Sequence, residues 1–154
     1  MNKFMCEAIK EAKKGAADGE IPVGAVVVCS GEIVARSHNL SEQNQNPTHH
    51  AELLAIKNAL KVLGTKNLKG CELYVTLEPC AMCIGACMLC KIDKVYFGAY
   101  DTKSGACGGK IDISRENCFD YKTEIYGGIE EEECKKILTD FFEEIRKEQR
   151  CEKY

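Results

Sequence analysis

His50, Glu52, Cys80 and Cys83 are the residues whose types and spacing suggest chemistry. They lie in two short stretches, Pro47-Thr48-His49-His50-Ala51-Glu52 and Thr76-Leu77-Glu78-Pro79-Cys80-Ala81-Met82-Cys83. One imidazole and two thiolates give a zinc ion three protein ligands, which leaves a tetrahedral metal one open position for water. A metal acidifies such a water near neutral pH, and a separate base must carry its proton. Glu52, two residues from His50, is the candidate base. The cofactor expected is therefore one Zn2+ per subunit, held by His50, Cys80 and Cys83.

Neither stretch is specific alone. A His-x-Glu triplet is common on surfaces and in cores, and a Cys-x-x-Cys fits a redox pair, half of a structural zinc site, or two small buried residues. Together, in this order, they specify a hydrolytic site, and the elements around them must bring them to one point. Residues i and i+2 of a helix face different ways, but in the first turn both side chains lean toward the N-terminus and can converge beyond it. Pro47 and Thr48 fit such a helix start, with Thr48 as N-cap. In the second stretch an apolar strand over 72–76 breaks at Pro79, and a helix then begins with Cys80 and Cys83. Thiols at a helix N-terminus are readily deprotonated, and two helix N-termini aimed at one point favour an anion there.

The rest of the chain supplies the frame. Phe4, Met5, Ala8, Ile9 and Ala12 repeat at helical spacing over 2–17. Strands over 23–29 and 32–36, joined at Ser30-Gly31, read as a hairpin. Residues 38–46 are polar and loop-like. The helix over 48–63 is apolar almost all round, which predicts burial against a sheet. A strand at 73–76, a helix at 80–89 and a strand at 94–99 complete a β-α-β-α-β alternation with parallel central strands. Residues 101–110, with Gly105, Gly108 and Gly109, form a loop leaving a strand end, where α/β proteins place ligand contacts. It is not a phosphate-binding P-loop, because Ser104 stands where the first glycine is needed. Residues 113–121 show no readable pattern. A fifth strand at 123–126 and a charged helix over 128–150, with Ile137, Leu138, Phe141, Phe142 and Ile145 inward, end the chain.

At 154 residues and 45% hydrophobic content the sequence is read as one domain, residues 1–154. It contains no 18-residue apolar run, so no membrane span is expected, and the N-terminus shows no signal-peptide core. A cytoplasmic, reducing location follows. The 11 cysteines are then thiols, with Cys29, Cys71, Cys87 and Cys134 as small buried hydrophobes. Cys80, Cys83, Cys87 and Cys90 share a helix face, but Cys90 lies about 10 Å beyond Cys83, too far to share one metal. Core packing is the expectation for Cys87 and Cys90, and a surface position for His49. A net charge of −3 counts against a protein that grips nucleic acid with its whole surface. Lys103, Lys110, Arg146, Lys147, Arg150 and Lys153 offer local patches, although cations at a helix C-terminus also have a plain electrostatic reason.

His-x-Glu followed by Pro-Cys-x-x-Cys is the established signature of zinc nucleobase deaminases. On these residues the chain resembles the cytidine and deoxycytidylate deaminase superfamily, and within it the bacterial tRNA adenosine deaminases. The likeness extends over Glu20 to Val28, Asn39, Leu73 to Cys83, Phe97-Gly98-Ala99, Asp101 to Ala106 and Asp140-Phe141-Phe142. The last two point to the tRNA branch. The resemblance implies a three-layer α/β/α fold with a mixed five-stranded sheet, cytidine deaminase-like. It implies hydrolytic deamination of adenosine to inosine at the wobble position of a tRNA anticodon loop, with the nucleotide splayed out as readers of single-stranded RNA require. It also implies a homodimer with helices packed near the active sites, and substrate contacts from Asn39, Ala51 and Lys103. Two alternatives remain at this stage: a deaminase of a free nucleobase or nucleotide such as guanine or cytosine, and a zinc-stabilised or redox module in which Glu52 is idle.

Overall fold

The computed structural model describes residues 1–116 and 118–153. Along the chain run α1 (Lys3–Ala17), β1 (Gly24–Cys29), β2 (Glu32–His38), α2 (Ala51–Leu63), β3 (Cys71–Leu77), α3 (Ala81–Leu89), β4 (Lys94–Ala99), a single 3₁₀ turn (Ile113–Arg115), β5 (Glu124–Tyr126) and α4 (Glu131–Cys151). The strands form one sheet in the order β2-β1-β3-β4-β5. Helices α2 and α3 cover one face over Val27, Leu73, Val75 and Val95, and α1 and α4 cover the other over Val26, Val28 and Tyr74. The expected three-layer α/β/α architecture with a mixed five-stranded sheet is what forms.

Local chemistry accounts for most of the boundaries. Asn2 caps α1, its Oδ1 accepting from Phe4 N at 3.0 Å and Met5 N at 2.9 Å. Ser30 and Gly31, with φ of 52° and 78°, turn the β1–β2 hairpin with both central residues left-handed, the hand that matches strand twist. Val26 and Val27 point to opposite faces of a sheet covered on both sides, so β1 reads as an unbroken valine run.

Three expectations need correction. The centre of the sheet is not all parallel: β1 pairs antiparallel with β3, and only β3, β4 and β5 run parallel. The hairpin is the cause, because β2 goes to the outer edge and leaves β1 beside β3. Helix α2 starts at Ala51, not at Thr48; His50 is its N-cap, and Thr48 sits in the preceding loop, with its N and Oγ1 donating to Asn46 Oδ1. Nor is α2 buried all round, since Val62 is 66% exposed and Leu63 is also exposed. Within the unread 113–121 stretch lie the 3₁₀ turn and Phe119, which packs on the core; Asn117 lies outside the described residues.

Helix α1 meets β1 so closely that only glycine fits at its first residue. A Cβ on Gly24 would lie 1.9 Å from Ala8 O and 2.5 Å from Ala12 N. Both are helix backbone atoms and cannot rotate away. Gly24→Ala is expected to lower stability by about 1–3 kcal/mol, the range for overpacking a well-filled interior. Urea denaturation followed by circular dichroism reads this as a lower midpoint with an unchanged m-value.

Candidate metal centre and active site

The two motifs meet because each places a ligand on a helix N-cap. His50 caps α2 and Cys80 caps α3, both with extended backbone, and neither side chain makes the usual capping bond to its own helix. The side chains turn to each other instead. Cys83 occupies the third position of α3, whose side chain lies beside the N-cap's in any helix start. His50 Nδ1 lies 3.6 Å from Cys80 Sγ and 3.6 Å from Cys83 Sγ, and the three donor atoms lie within 4.8 Å of one another.

That spacing suits zinc. Tetrahedral Zn–S and Zn–N distances of about 2.3 and 2.0–2.1 Å require N···S edges of about 3.6 Å. The electrostatics agree with the geometry. Hydrogen bonds from Cys83 and His50 pull the Cys80 thiol down to about 4. The shared hydrogen bond and burial push the Cys83 thiol well above its ordinary range. Two sulfurs this close ionise together only beside a cation, which a divalent metal provides.

Glu52 lies one turn-position inside α2 and is 4% exposed. Burial raises its carboxyl above the ordinary carboxylate range, against the pull of His50. It borders a cavity of about 180 Å³ together with His50, Cys80, Asn39 and Ala51. Cys83 lies beneath, fully buried. Asn39 directs its Oδ1 to Ser41 N at 3.2 Å, and its amide nitrogen has no partner among the described residues. Ala51, first in α2, offers one of the main-chain N–H groups that a helix start leaves unpaired.

Lys103 is the substrate contact that the structure does not bring to the cavity. Its side chain is exposed, while its neighbours Asp101 and Ser104 line the wall. Asp101 turns the loop locally, its Oδ1 accepting from Lys103 N at 2.9 Å and Ser104 N at 3.2 Å. His49 also differs from a free surface histidine, being half-buried with Asn44 and Asn46 amides on its two ring nitrogens. Cys87 and Cys90 pack with the core as expected.

Reading the sequence by chemistry alone gave no role to Glu20 or Glu78, yet both are buried next to the site. Glu20 accepts from Glu42 N at 3.2 Å and Gln43 N at 2.6 Å, pinning the loop that carries Asn39. Glu78 does the same for the loop after β4. The available signal was a carboxylate set among apolar residues and prolines, since a buried charge persists only with partners.

A helix-borne His-Cys-Cys cluster beside a buried carboxylate, on a mixed α/β/α sheet, is the design of a mononuclear zinc hydrolase. Comparison with known proteins narrows this. Residues 1–99 match the model of the cytidine and deoxycytidylate deaminase zinc-binding region. The chain is 50% identical over 148 residues to the tRNA-specific adenosine deaminase of Bacillus subtilis, spanning 96% of this chain and 92% of that one. It is 46% identical over 143 residues to the same-named protein of Aquifex aeolicus, spanning 93% and 94%. A structure solved in a study of A-to-I editing by tRNA:A34 deaminases at the wobble position superposes with a TM-score of 0.86 at 37% identity, over 90% of this chain and all of that one. A guanine deaminase from Bacillus subtilis reaches 40% identity but a TM-score of 0.62, over 66% of this chain and 67% of that one. The chain belongs to the cytidine and deoxycytidylate deaminase family, in the branch of the tRNA-specific adenosine deaminases, and is a zinc-dependent hydrolytic deaminase.

If His50, Cys80 and Cys83 hold the metal, His50→Ala and Cys83→Ser will each weaken zinc retention by at least about tenfold, while Cys87→Ala and Cys90→Ala keep one zinc per chain. Metal analysis of the purified variants by inductively coupled plasma mass spectrometry distinguishes the four.

Proposed function

We propose that this protein converts adenosine to inosine at the wobble position of tRNA, using His50, Cys80 and Cys83 as zinc ligands and Glu52 as the proton carrier. When bound, the zinc acidifies a water so that hydroxide is available near neutral pH. Glu52 takes the proton of that water and delivers it to the purine ring nitrogen beside the reacting carbon. The new C–O bond forms at C6, making that carbon tetrahedral. Glu52 then takes the proton of the new C6 hydroxyl and passes it to the leaving amine, the C–N bond breaks as the C6 carbonyl forms, and water plus adenosine has become inosine plus ammonia. A raised pKa suits a group that must both accept and return a proton. Asn39 would bind the purine edge through its free amide nitrogen, and the Ala51 N–H would stabilise charge at the reacting end.

The observation that carries the reading is the closed pairing of Glu52 with the ligand cluster at the floor of a small cavity. About 180 Å³ is below the roughly 300–1,000 Å³ of sites that enclose drug-sized ligands. One planar base fits while its sugar and phosphates stay outside, as for a nucleotide splayed from an anticodon loop. For RNA over a free base, the support is the pattern of likeness. Identities of 50% and 46% to tRNA-specific adenosine deaminases run over more than nine-tenths of both chains, and the tRNA:A34 deaminase structure superposes with a TM-score of 0.86.

Three further parts of the reading belong with it. Residues 1–154 act as one zinc deaminase domain. The protein works in the cytoplasm, supported by its 11 free cysteines and by the absence of any helix among the described residues long and apolar enough to cross a membrane. It works as a homodimer. What supports a second copy is apolar surface left exposed at Val62, Leu63 and Leu89, at the C-terminal ends of α2 and α3 and away from the site at their N-termini, with Leu89 67% exposed.

Three measurements test these statements. Inosine is expected in an anticodon stem-loop with adenine at the wobble position and not from free adenosine, guanine or cytosine. Glu52→Gln should lower kcat by about 10²–10⁴ with zinc retained, whereas loss of zinc or fold would remove Glu52 from catalysis. Turnover of guanine or cytosine alone would place the enzyme with the free-base deaminases. For the dimer, analytical ultracentrifugation should give twice the 17.1 kDa chain mass, and Val62→Glu/Leu89→Glu should shift it to the monomer.

A further inference from the structure

Glu78 is 3% exposed, and both of its carboxylate oxygens are engaged. Oε1 accepts from Asp101 N at 3.0 Å. Oε2 accepts from Cys107 N at 2.9 Å and from Gly109 N at 2.8 Å. These three amides lie at the start and in the second half of the loop that follows β4. The loop main chain closes around the same point, with Gly105 N donating to Asp101 O and Ala106 N to Pro79 O, each at 2.9 Å. Glycine is required where the loop folds over the carboxylate. A Cβ on Gly105 or on Gly109 would fall 2.3 Å from a Glu78 oxygen.

The segment so held presents Asp101 and Ser104 to the cavity that contains Glu52 and Asn39. Glu78 follows β3 and lies two residues before Cys80, so one short stretch fixes both the cluster and the wall facing it. We propose that Glu78 is a positioning residue: it acts on substrate only through the 101–109 loop, setting how tightly the nucleotide is held and leaving the proton transfers to Glu52. This inference rests on the deaminase reading above. Although Glu78 also borders the cavity, its three main-chain hydrogen bonds hold both oxygens toward the loop, so it is fixed in place rather than free to swing between water and substrate as a proton carrier must. A neutral amide in its place keeps the shape but cannot accept on its nitrogen, so part of the loop is released.

The test compares wild type, Glu78→Gln, Gly109→Ala and the double variant, each zinc-loaded, on the stem-loop or on whichever base wild type turns over. Charge-assisted hydrogen bonds of this kind set the scale at about ten- to a hundredfold. Glu78→Gln is expected to raise KM by about that factor, with kcat and zinc content within about twofold of wild type. Hydrogen exchange read by mass spectrometry should accelerate in peptides covering 101–109 and not in β3 or β4. Gly109→Ala crowds the carboxylate without removing it and should give the same pattern, with the double variant no worse than the poorer single. Should Glu78→Gln fail to fold, Gly109→Ala alone carries the same readings. A fall in kcat at unchanged KM, loss of zinc, unchanged loop exchange, or full additivity would each overturn the positioning role. Because KM is read on the substrate wild type actually uses, failure of the RNA assignment does not decide the fate of Glu78. A wild type without turnover on any of them overturns both.

Discussion

Two helix starts must converge on one point, and the remainder of the structure serves that requirement. A helix N-terminus leaves its first N–H groups unpaired and carries partial positive charge, so it attracts an anion or an anionic ligand set. Placing His50 and Cys80 on the caps of α2 and α3 withdraws both side chains from capping and leaves them free to face each other at 3.6 Å. Their helices cannot drift apart, because Ala51, Ala55, Ile84 and Cys87 bury against the same sheet face. The site is therefore as rigid as the core, which matters for a metal whose preferred distances tolerate little error.

Around that fixed point the cavity walls are loops, and each is held by a buried carboxylate acting on main-chain amides. Glu20 holds the loop bearing Asn39, and Glu78 holds the loop bearing Asp101 and Ser104. A loop held by a few strong bonds at its base is shaped without being packed, so its residues can differ while its path does not. This division suits an enzyme family in which the metal chemistry is shared and the substrate varies. The acid clamps set the outline of the pocket, and the cluster with Glu52 sets the reaction.

Much of this was legible in the sequence, for identifiable reasons. The ligands and base were readable because only a few residue types bind zinc and their spacing follows helix geometry. Strands β1 and β3 were readable because short apolar runs containing β-branched residues are followed closely by glycine or proline. The antiparallel β1–β3 pairing was not, since which strand a hairpin inserts beside its neighbours is settled by long-range packing. The start of α2 was misplaced from Thr48 because a threonine fits a cap well, whereas His50 caps by backbone alone and leaves no side-chain signal. Lys103, expected at the substrate by resemblance, lies exposed beside the cavity rather than in its wall. Glu20 and Glu78 went unassigned because a lone glutamate reads as surface unless its partners are known, and theirs are main-chain amides that sequence does not distinguish.

Burial also bears on the net charge of −3, which at first sight argues against an RNA substrate. Four of the 24 acidic side chains, Glu11, Glu20, Glu52 and Glu78, are buried, and no lysine or arginine is. That leaves 20 acidic groups outside against 21 cations, a surface close to neutral. The carboxylates that make the chain acidic are largely the ones that build and hold the site. Of these, Glu20 and Glu78 accept from main-chain N–H groups, and Glu11 pairs with Lys14 and His38. Net charge counts every group equally, whereas a polyanion responds to the exposed ones within about a Debye length. An acidic composition and an RNA substrate are thus compatible in this fold, and the same buried glutamates account for both.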